Sequence, residues 1–236
     1  MTESGHITIA CVYWKGYFRA PKYNYPGYSL EWIEKLRNMV ARNITVPYEF
    51  VCLSNHRFTM EGVRVIPLQH GLKGWWSKLE LFRKDLPIKP GRVLYLDLDV
   101  IVLSDLMPFI NYDSTMAILS SFVAIDETEL KGIVRGYNSS VMVYDYPLRR
   151  KIWSKFVKSK KSWKRRYRGD QDFLMAILPS LSTFPKEWVM KLGSCINDKG
   201  QIKLNEEHAK MKIMLCMPLK NRKAARRFQF VRKYWQ

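Results

Sequence analysis

An apolar run that ends on two carboxylates sets the frame for this chain. Residues 93–96 (VLYL) read as a buried central strand, Asp97 and Asp99 follow one residue apart, and residues 100–102 (VIV) are apolar again. Strand side chains alternate between faces, so an extended backbone through the pair puts both carboxylates on the same side. A D-x-D triplet by itself also fits a solvated turn, but the strong strand in front of this one favours a buried pair. Two like charges held together away from water repel, and one takes up a proton unless a cation lies between them. Hard oxygen ligands suit Mg2+ or Mn2+. The expectation is therefore a divalent-metal site, with Asp97 and Asp99 as ligands, at the end of a central strand.

The rest of the chain supplies a sheet for that strand. Residues 7–14 (ITIACVYW) form a first strand, and a Gly-, Pro- and Tyr-rich loop follows. Ser29 is a fitting N-cap for a helix that buries Ile33, Leu36, Met39 and Val40. Residues 48–53 and 63–67 read as further strands, and 74–86 carries Trp76, Leu79, Phe82 and Leu86 near helical spacing. Strands are also expected over 115–122 and 139–144. A basic helix follows with Ile152, Trp153, Phe156 and Val157 on its apolar face, and another helix spans 171–178. Strand alternating with helix predicts an α/β fold with a parallel sheet, in which ligands gather at the carboxyl ends of the strands. One domain over residues 1–217 with a basic, aromatic tail at 218–236 accounts for the pattern.

A chain of 236 residues can bury one large core. No apolar run approaches the roughly 20 residues that span a bilayer, and the polar N-terminus lacks a signal-peptide core. The four cysteines, Cys11, Cys52, Cys195 and Cys216, are scattered without a C-x-x-C pair. They read as reduced, mostly buried thiols, and a cytoplasmic location is expected. Charge is the unusual quantity. Residues 147–168 hold eleven Lys or Arg and no acid, and residues 218–236 hold seven more, together eighteen of the net +19. Basicity this local implies a polyanionic partner. Trp153, Trp163 and Tyr167 lie within the first run, and Phe228, Phe230, Tyr234 and Trp235 within the second. Cations interleaved with aromatic rings suit phosphate contacts plus stacking on unpaired bases. An anionic membrane surface is the alternative partner, and a merely solvated face the third reading.

Six short pieces stand in order: VYW at 12–14, GWWSKLELF at 74–82, LYLDLDVIV at 94–102, YNSSVMVYD at 137–145, GDQDFL at 169–174 and FPKEWV at 184–189. In that order they resemble the nucleotide-sugar glycosyltransferases of the GT-A fold, of the glycogenin and bacterial galactosyltransferase type (glycosyltransferase family 8-like). The resemblance implies a Rossmann-like single domain with a mixed, mostly parallel sheet, and transfer of a hexose from a UDP-sugar to an acceptor hydroxyl. It implies that Asp97 and Asp99 hold Mn2+ or Mg2+ against the donor diphosphate, and that Val12 and Tyr13 receive the nucleotide base. Lys78 then contacts donor phosphate or sugar, and Asn138 and Ser139 hydrogen-bond the donor sugar. Asp170 and Gln171 match a G-D-Q element facing the transferred sugar and the acceptor, and Lys191 falls near the active site. The resemblance leans towards retention of anomeric configuration. An inverting route would need Asp170 or Asp172 as general base.

The chain departs from the pattern near its end. Relatives carry H-x-x-x-K-P, whose His completes the metal shell; here the stretch is LCMPLKN at 215–221, with Cys216 at the His position. Thiolate matches Mg2+ or Mn2+ poorly, so water or another residue would have to take that place, or metal dependence weakens. Lys220 could still serve the diphosphate. Local charge and compact size point to a phage-type enzyme that glycosylates a hydroxymethylated base in DNA, in the host cytoplasm. On duplex DNA the base would be flipped out of the stack. The alternative is a bacterial lipopolysaccharide or capsule transferase at the inner membrane face. From another class comes an inactive nucleic-acid-binding protein on a transferase scaffold.

Overall fold

The computed structural model describes residues 5–16, 18–20, 23–25, 27–122, 136–197, 199–204, 206–216 and 228–236. The chain opens with β1 (His6–Tyr13), a small hairpin of β2 (Phe18–Ala20) and β3 (Tyr23–Tyr25), and α1 (Leu30–Arg42). Then come β4 (Glu49–Ser54), β5 (Arg64–Pro67), a 3-10 segment (Gly74–Phe82), β6 (Gly91–Leu96), β7 (Val100–Val102) and the short α2 (Met107–Ile110). The second half holds β8 (Met116–Ser120), β9 (Tyr137–Asp145), α3 (Leu148–Lys158), α4 (Lys160–Arg166) and α5 (Asp170–Ile177). It continues with β10 (Ser182–Thr183), β11 (Val189–Lys191), β12 (Ile213–Leu215) and α6 (Gln229–Tyr234).

Seven strands form the central sheet in the order β10-β8-β9-β6-β1-β4-β5. Only β9 runs against its neighbours β6 and β8; every other pair is parallel. The expected mixed, mostly parallel α/β sheet is thus the observed one. The antiparallel β9 has a consequence for chemistry, because its amino end lies at the edge where β1, β6 and β8 end. A three-stranded sheet, β11-β12-β7, stands beside it.

Period-two alternation sorts side chains into two cores, one on each face. Ile9, Cys11, Tyr13, Leu94 and Leu96 enter one with α1, β12 and α6. Ala10, Val12, Val93 and Tyr95 enter the other with the 3-10 segment, α3 and α5. Each fully buried Leu, Ile or Phe in these layers stabilises the fold by about 1.5–3 kcal/mol. All four cysteines are buried free thiols.

Several local expectations are corrected. Asp97 and Asp99 do not continue a strand: β6 ends at Leu96, and the pair occupies the turn before β7, closed by the Val100 N–H on the Asp97 carbonyl at 3.4 Å. The helical pattern at 74–86 is a 3-10 segment that stops at Phe82. The strand expected at 139–144 begins earlier, at Tyr137, and the helix expected at 171–178 begins at Asp170.

The basic run is a partly structural surface. Arg149 is buried, donates to the carbonyls of Arg83, Lys84 and Leu86, and stacks on Tyr146 at 3.8 Å. Lys160 donates to the His70 carbonyl. The other nine cations of 147–168 are exposed. The rings expected to stack on bases are mostly spent on packing. Trp153 and Tyr167 are buried, Trp163 stacks on Tyr167, and Trp235 packs against Trp32 at 5.0 Å. At the C-terminus, residues 228–236 fold back onto the core: Val231 is buried, and Arg42 donates to the carbonyls of Tyr234 and Gln236. Residues 217–227, with Lys220 and the tail boundary, lie outside the described residues. Among the described residues no helix is long and apolar enough to cross a membrane.

Candidate active site

Four elements converge at the carboxyl edge of the sheet. The end of β6 brings Tyr95 and Asp97, the 3-10 segment brings Lys78, the amino end of β9 brings Asn138 and Ser139, and the first turn of α5 brings Asp170, Gln171 and Asp172. Lys78 is the hub. Its ammonium donates to Asp97 Oδ1 at 2.8 Å and Oδ2 at 3.1 Å, and to Ser139 Oγ at 3.1 Å. Tyr95 donates its phenol proton to Asp97 Oδ1 at 2.5 Å. The peptide N–H of Asp97 donates to the Ser140 carbonyl at 2.8 Å, which ties the D-x-D turn to β9.

Burial makes these interactions strong. Lys78, Tyr95, Ser139 and Asp170 are all buried, and desolvation would push the Lys78 ammonium towards losing its proton. The carboxylates of Asp97, Asp170 and Asp99 outweigh that burial, and the Lys78 pKa is raised above its ordinary value. Lys78 is therefore a fixed positive charge at neutral pH. Burial also raises the Tyr95 phenol well above its usual range, with Asp97 adding to the effect, so Tyr95 stays a donor.

Asp170 behaves differently. Burial raises its carboxyl above the usual range, and Lys78 and Ser139 only partly offset that. Its Oδ2 is buried and has no hydrogen-bond partner among the described residues. A buried carboxylate oxygen without a protein partner costs free energy and calls for strain, a catalytic role or an ordered water or ion. Gly169, not Asp170, is the N-cap of α5, so Asp170 sits in the first turn, where the helix dipole favours negative charge. Asp172 accepts the Arg168 N–H at 3.2 Å, which occupies it in closing the helix start.

The remaining expected residues lie around this cluster. Val12 and Tyr13 are at the buried end of β1, with the Tyr13 ring edge-on to His56 and Phe58. Asn138 is half-buried and accepts the Ser140 N–H; Gln171 is half-buried beside Asp170. Pairing of β12 with β7 sets Cys216 opposite Asp99, and its N–H donates to the Asp99 carbonyl at 3.1 Å. The sequence position expected for a third ligand thus does reach the D-x-D turn. Among the described residues, however, no three His, Cys, Asp or Glu side chains form a metal-holding group. A cleft of about 340 Å3 opens alongside, lined by Ser120, Ser121, Phe122, Lys186, Lys191 and Ser194, among others.

Solved structures share this overall fold. The galactosyltransferase LgtC, in complex with donor and acceptor sugar analogues, superposes with a TM-score of 0.60 at 15% identity, over 90% of this chain and 87% of that one. An active-site mutant of LgtC gives 0.63 at 14% identity, over 96% and 95%. The glycosyltransferase GlyE of Streptococcus pneumoniae TIGR4 gives 0.60 at 17% identity, over 91% of this chain and 55% of that one. The fold is GT-A. No protein-family model and no curated protein sequence matches the chain. In this GT-A sheet the D-x-D turn, Lys78, Ser139 and Asp170 come together. Tyr95, whose phenol fixes Asp97, escaped the sequence reading. Its position two residues before Asp97 was the available signal, since same-face strand neighbours are two apart.

Proposed function

We propose that this chain transfers a hexose from a UDP-sugar to an acceptor hydroxyl. The observation that carries the reading is the buried Lys78–Asp97–Ser139–Asp170 cluster, with one unpartnered carboxylate oxygen, at the carboxyl edge of a GT-A sheet. The LgtC complex with sugar analogues supports the same chemistry.

Asp97 and Asp99 would hold a Mn2+ or Mg2+ ion. The donor set fits a hard cation that keeps water and takes diphosphate oxygens as its other ligands. Asp97 spends three of about four lone-pair sites on Lys78 and Tyr95, and the soft thiol of Cys216 is not needed. When bound, the ion would neutralise charge developing on the departing diphosphate. The residues of this chain do the rest. Lys78 holds a permanent positive charge beside that group, and Lys220 would add another. Val12 and Tyr13 would receive the base, and Asn138, Ser139 and Gln171 would orient the sugar. Asp170 Oδ2 would accept a hydroxyl of the transferred sugar. The acceptor oxygen bonds to the anomeric carbon as its bond to the diphosphate breaks, and the acceptor's proton passes to the departing diphosphate.

For the acceptor, the nine exposed cations of 147–168 support a polyanion, and α4 leads into Asp170 within four residues. Because Trp153 and Tyr167 are packed away, most of this face is charge alone. That suits phosphate contacts along DNA more than insertion into a membrane. The acceptor in this reading is a hydroxymethylated base of DNA. A saccharide hydroxyl is the second reading, favoured by the acceptor sugar analogue in LgtC.

The test is incubation with a panel of UDP-sugars plus hydroxymethylated DNA or glycolipid, read as a mass increment on nucleosides or on glycan. Asp97→Asn and Asp99→Asn should each lower transfer by about 10²–10³-fold, the scale of losing one preorganised electrostatic contact. Each should also weaken Mn2+ binding measured by calorimetry in the presence of UDP. Full activity in both variants would overturn the assignment.

A further inference from the structure

We propose that Lys186 and Lys191 bind a phosphate of the acceptor and so select a nucleotide, an inference that rests on the DNA reading above. Both line the cleft of about 340 Å3 beside the candidate site. That volume suits one small ligand, so it admits a single nucleotide drawn out of a strand and not a duplex. The floor is apolar, with Leu119, Phe184 and Val189 all buried. Lys191 is half-buried at the end of β11, its ammonium 5.0 Å from the centre of the Phe122 ring, and Lys186 is exposed. Among the described residues that line the cleft there is no carboxylate, and neither lysine pairs with an acid of the described residues. Their charge is left for an incoming anion. A neutral saccharide needs hydrogen bonds and no cation, whereas a nucleotide brings a ring for the apolar floor and a phosphate for the ammonium groups.

Two strand registers tie this cleft to the cluster around Lys78. On one side Leu119 of β8 pairs with Asn138 of β9, next to Ser139, whose hydroxyl accepts from Lys78. On the other side Lys191 pairs with Leu215, and Leu215 pairs with Val100, the residue after Asp99. Two strand spacings put the Lys191 backbone roughly 10 Å from the D-x-D turn. The cleft therefore opens between the turn expected to hold the diphosphate and the strand expected to hold the sugar. A flipped-out hydroxymethyl pyrimidine in it would bring its hydroxyl to that sugar while the lysines hold its phosphate.

The experiment uses the full-length protein saturated with UDP, which fills the donor side. Calorimetry then compares a 5-hydroxymethyl pyrimidine nucleoside monophosphate with the same nucleoside lacking phosphate. In the wild type the phosphate should tighten binding about tenfold or more, the scale of one hydrogen bond between charged groups. Lys186→Gln and Lys191→Gln should each narrow that ratio, the double variant should abolish it, and Lys191→Arg should keep most of it. Lys186 is exposed, so its variant tests the site whether or not replacing Lys191 disturbs β11. In transfer to a hydroxymethylated oligonucleotide the double variant should raise KM about tenfold or more. A wild-type ratio near unity, or an unchanged ratio in both single variants, overturns the phosphate subsite, while transfer to the oligonucleotide leaves the DNA reading standing. A hexose monophosphate that binds the UDP-saturated protein as tightly as the nucleotide overturns the choice of nucleotide. Transfer by the wild type to a saccharide and never to DNA overturns both.

Discussion

Asp170 carries the clearest tension between stability and chemistry at the scale of a single residue. Its carboxyl is raised by burial above the roughly 3.9 of an unfolded aspartate. The folded protein therefore holds the proton more tightly than the unfolded chain does. The resulting stabilisation is present in full below pH ~4 and is lost as pH rises through the folded value. Above it the protein keeps a buried carboxylate that Lys78 and Ser139 only partly compensate. Asp170→Asn removes that cost while keeping the shape. Urea midpoints from pH 4 to 7 should show the variant gaining on the wild type as pH rises, by about 1 kcal/mol at neutrality, while transfer activity collapses. Parallel curves for the two proteins would mean that Asp170 is not destabilised by its surroundings.

Position in the sheet decides what β6 can do as an element. Gly91 opens the strand at φ +153°, and a methyl built there would lie 1.9 Å from the His6 carbonyl oxygen. β1 and β6 are thus in register only if residue 91 has no side chain. Gly91→Ala should cost at least about 3 kcal/mol, combining strain in a glycine-only conformation with a backbone clash, and chemical denaturation would measure it. Because β6 delivers Tyr95 and Asp97, donor binding should weaken in the folded fraction too. A variant with wild-type stability would mean that β1 and β6 can shift apart freely. Much of this element was legible beforehand: four apolar residues bounded by Gly91 and two aspartates declare a buried strand with a polar end. The turn at 97–99 was not legible, since the apolar pattern resumes at Val100 and reads as one strand through the two aspartates. β7 breaks away because it pairs with β12, far downstream, and such pairing leaves no mark on local periodicity. The approach of Cys216 to Asp99 was legible only through the family pattern, because no local signal spans that distance.

Composition revealed the charge of the whole molecule but not which side chains face water. Eleven cations and four aromatic rings stand within 147–168, and packing separated them. Arg149 and Lys160 anchor neighbouring loops, and Trp153 and Tyr167 complete the core beneath the 3-10 segment and α5. What remains is a face of exposed lysines and arginines that runs along α3 and α4 towards the candidate site. If that face tracks a phosphate backbone, its effect is counterion release, which can be counted. Reversing Lys155, Lys158 and Lys161 to glutamate changes three exposed side chains of this face. The slope of log binding constant against log salt for duplex DNA should fall by about 0.9 for every phosphate that the variant no longer neutralises. Circular dichroism and the thermal midpoint should stay near those of the wild type, since exposed charges away from special contacts alter stability by only about 0.5 kcal/mol. An unaltered slope in the triple variant would remove this face from acceptor binding and shift the search to the cleft beside Lys186 and Lys191.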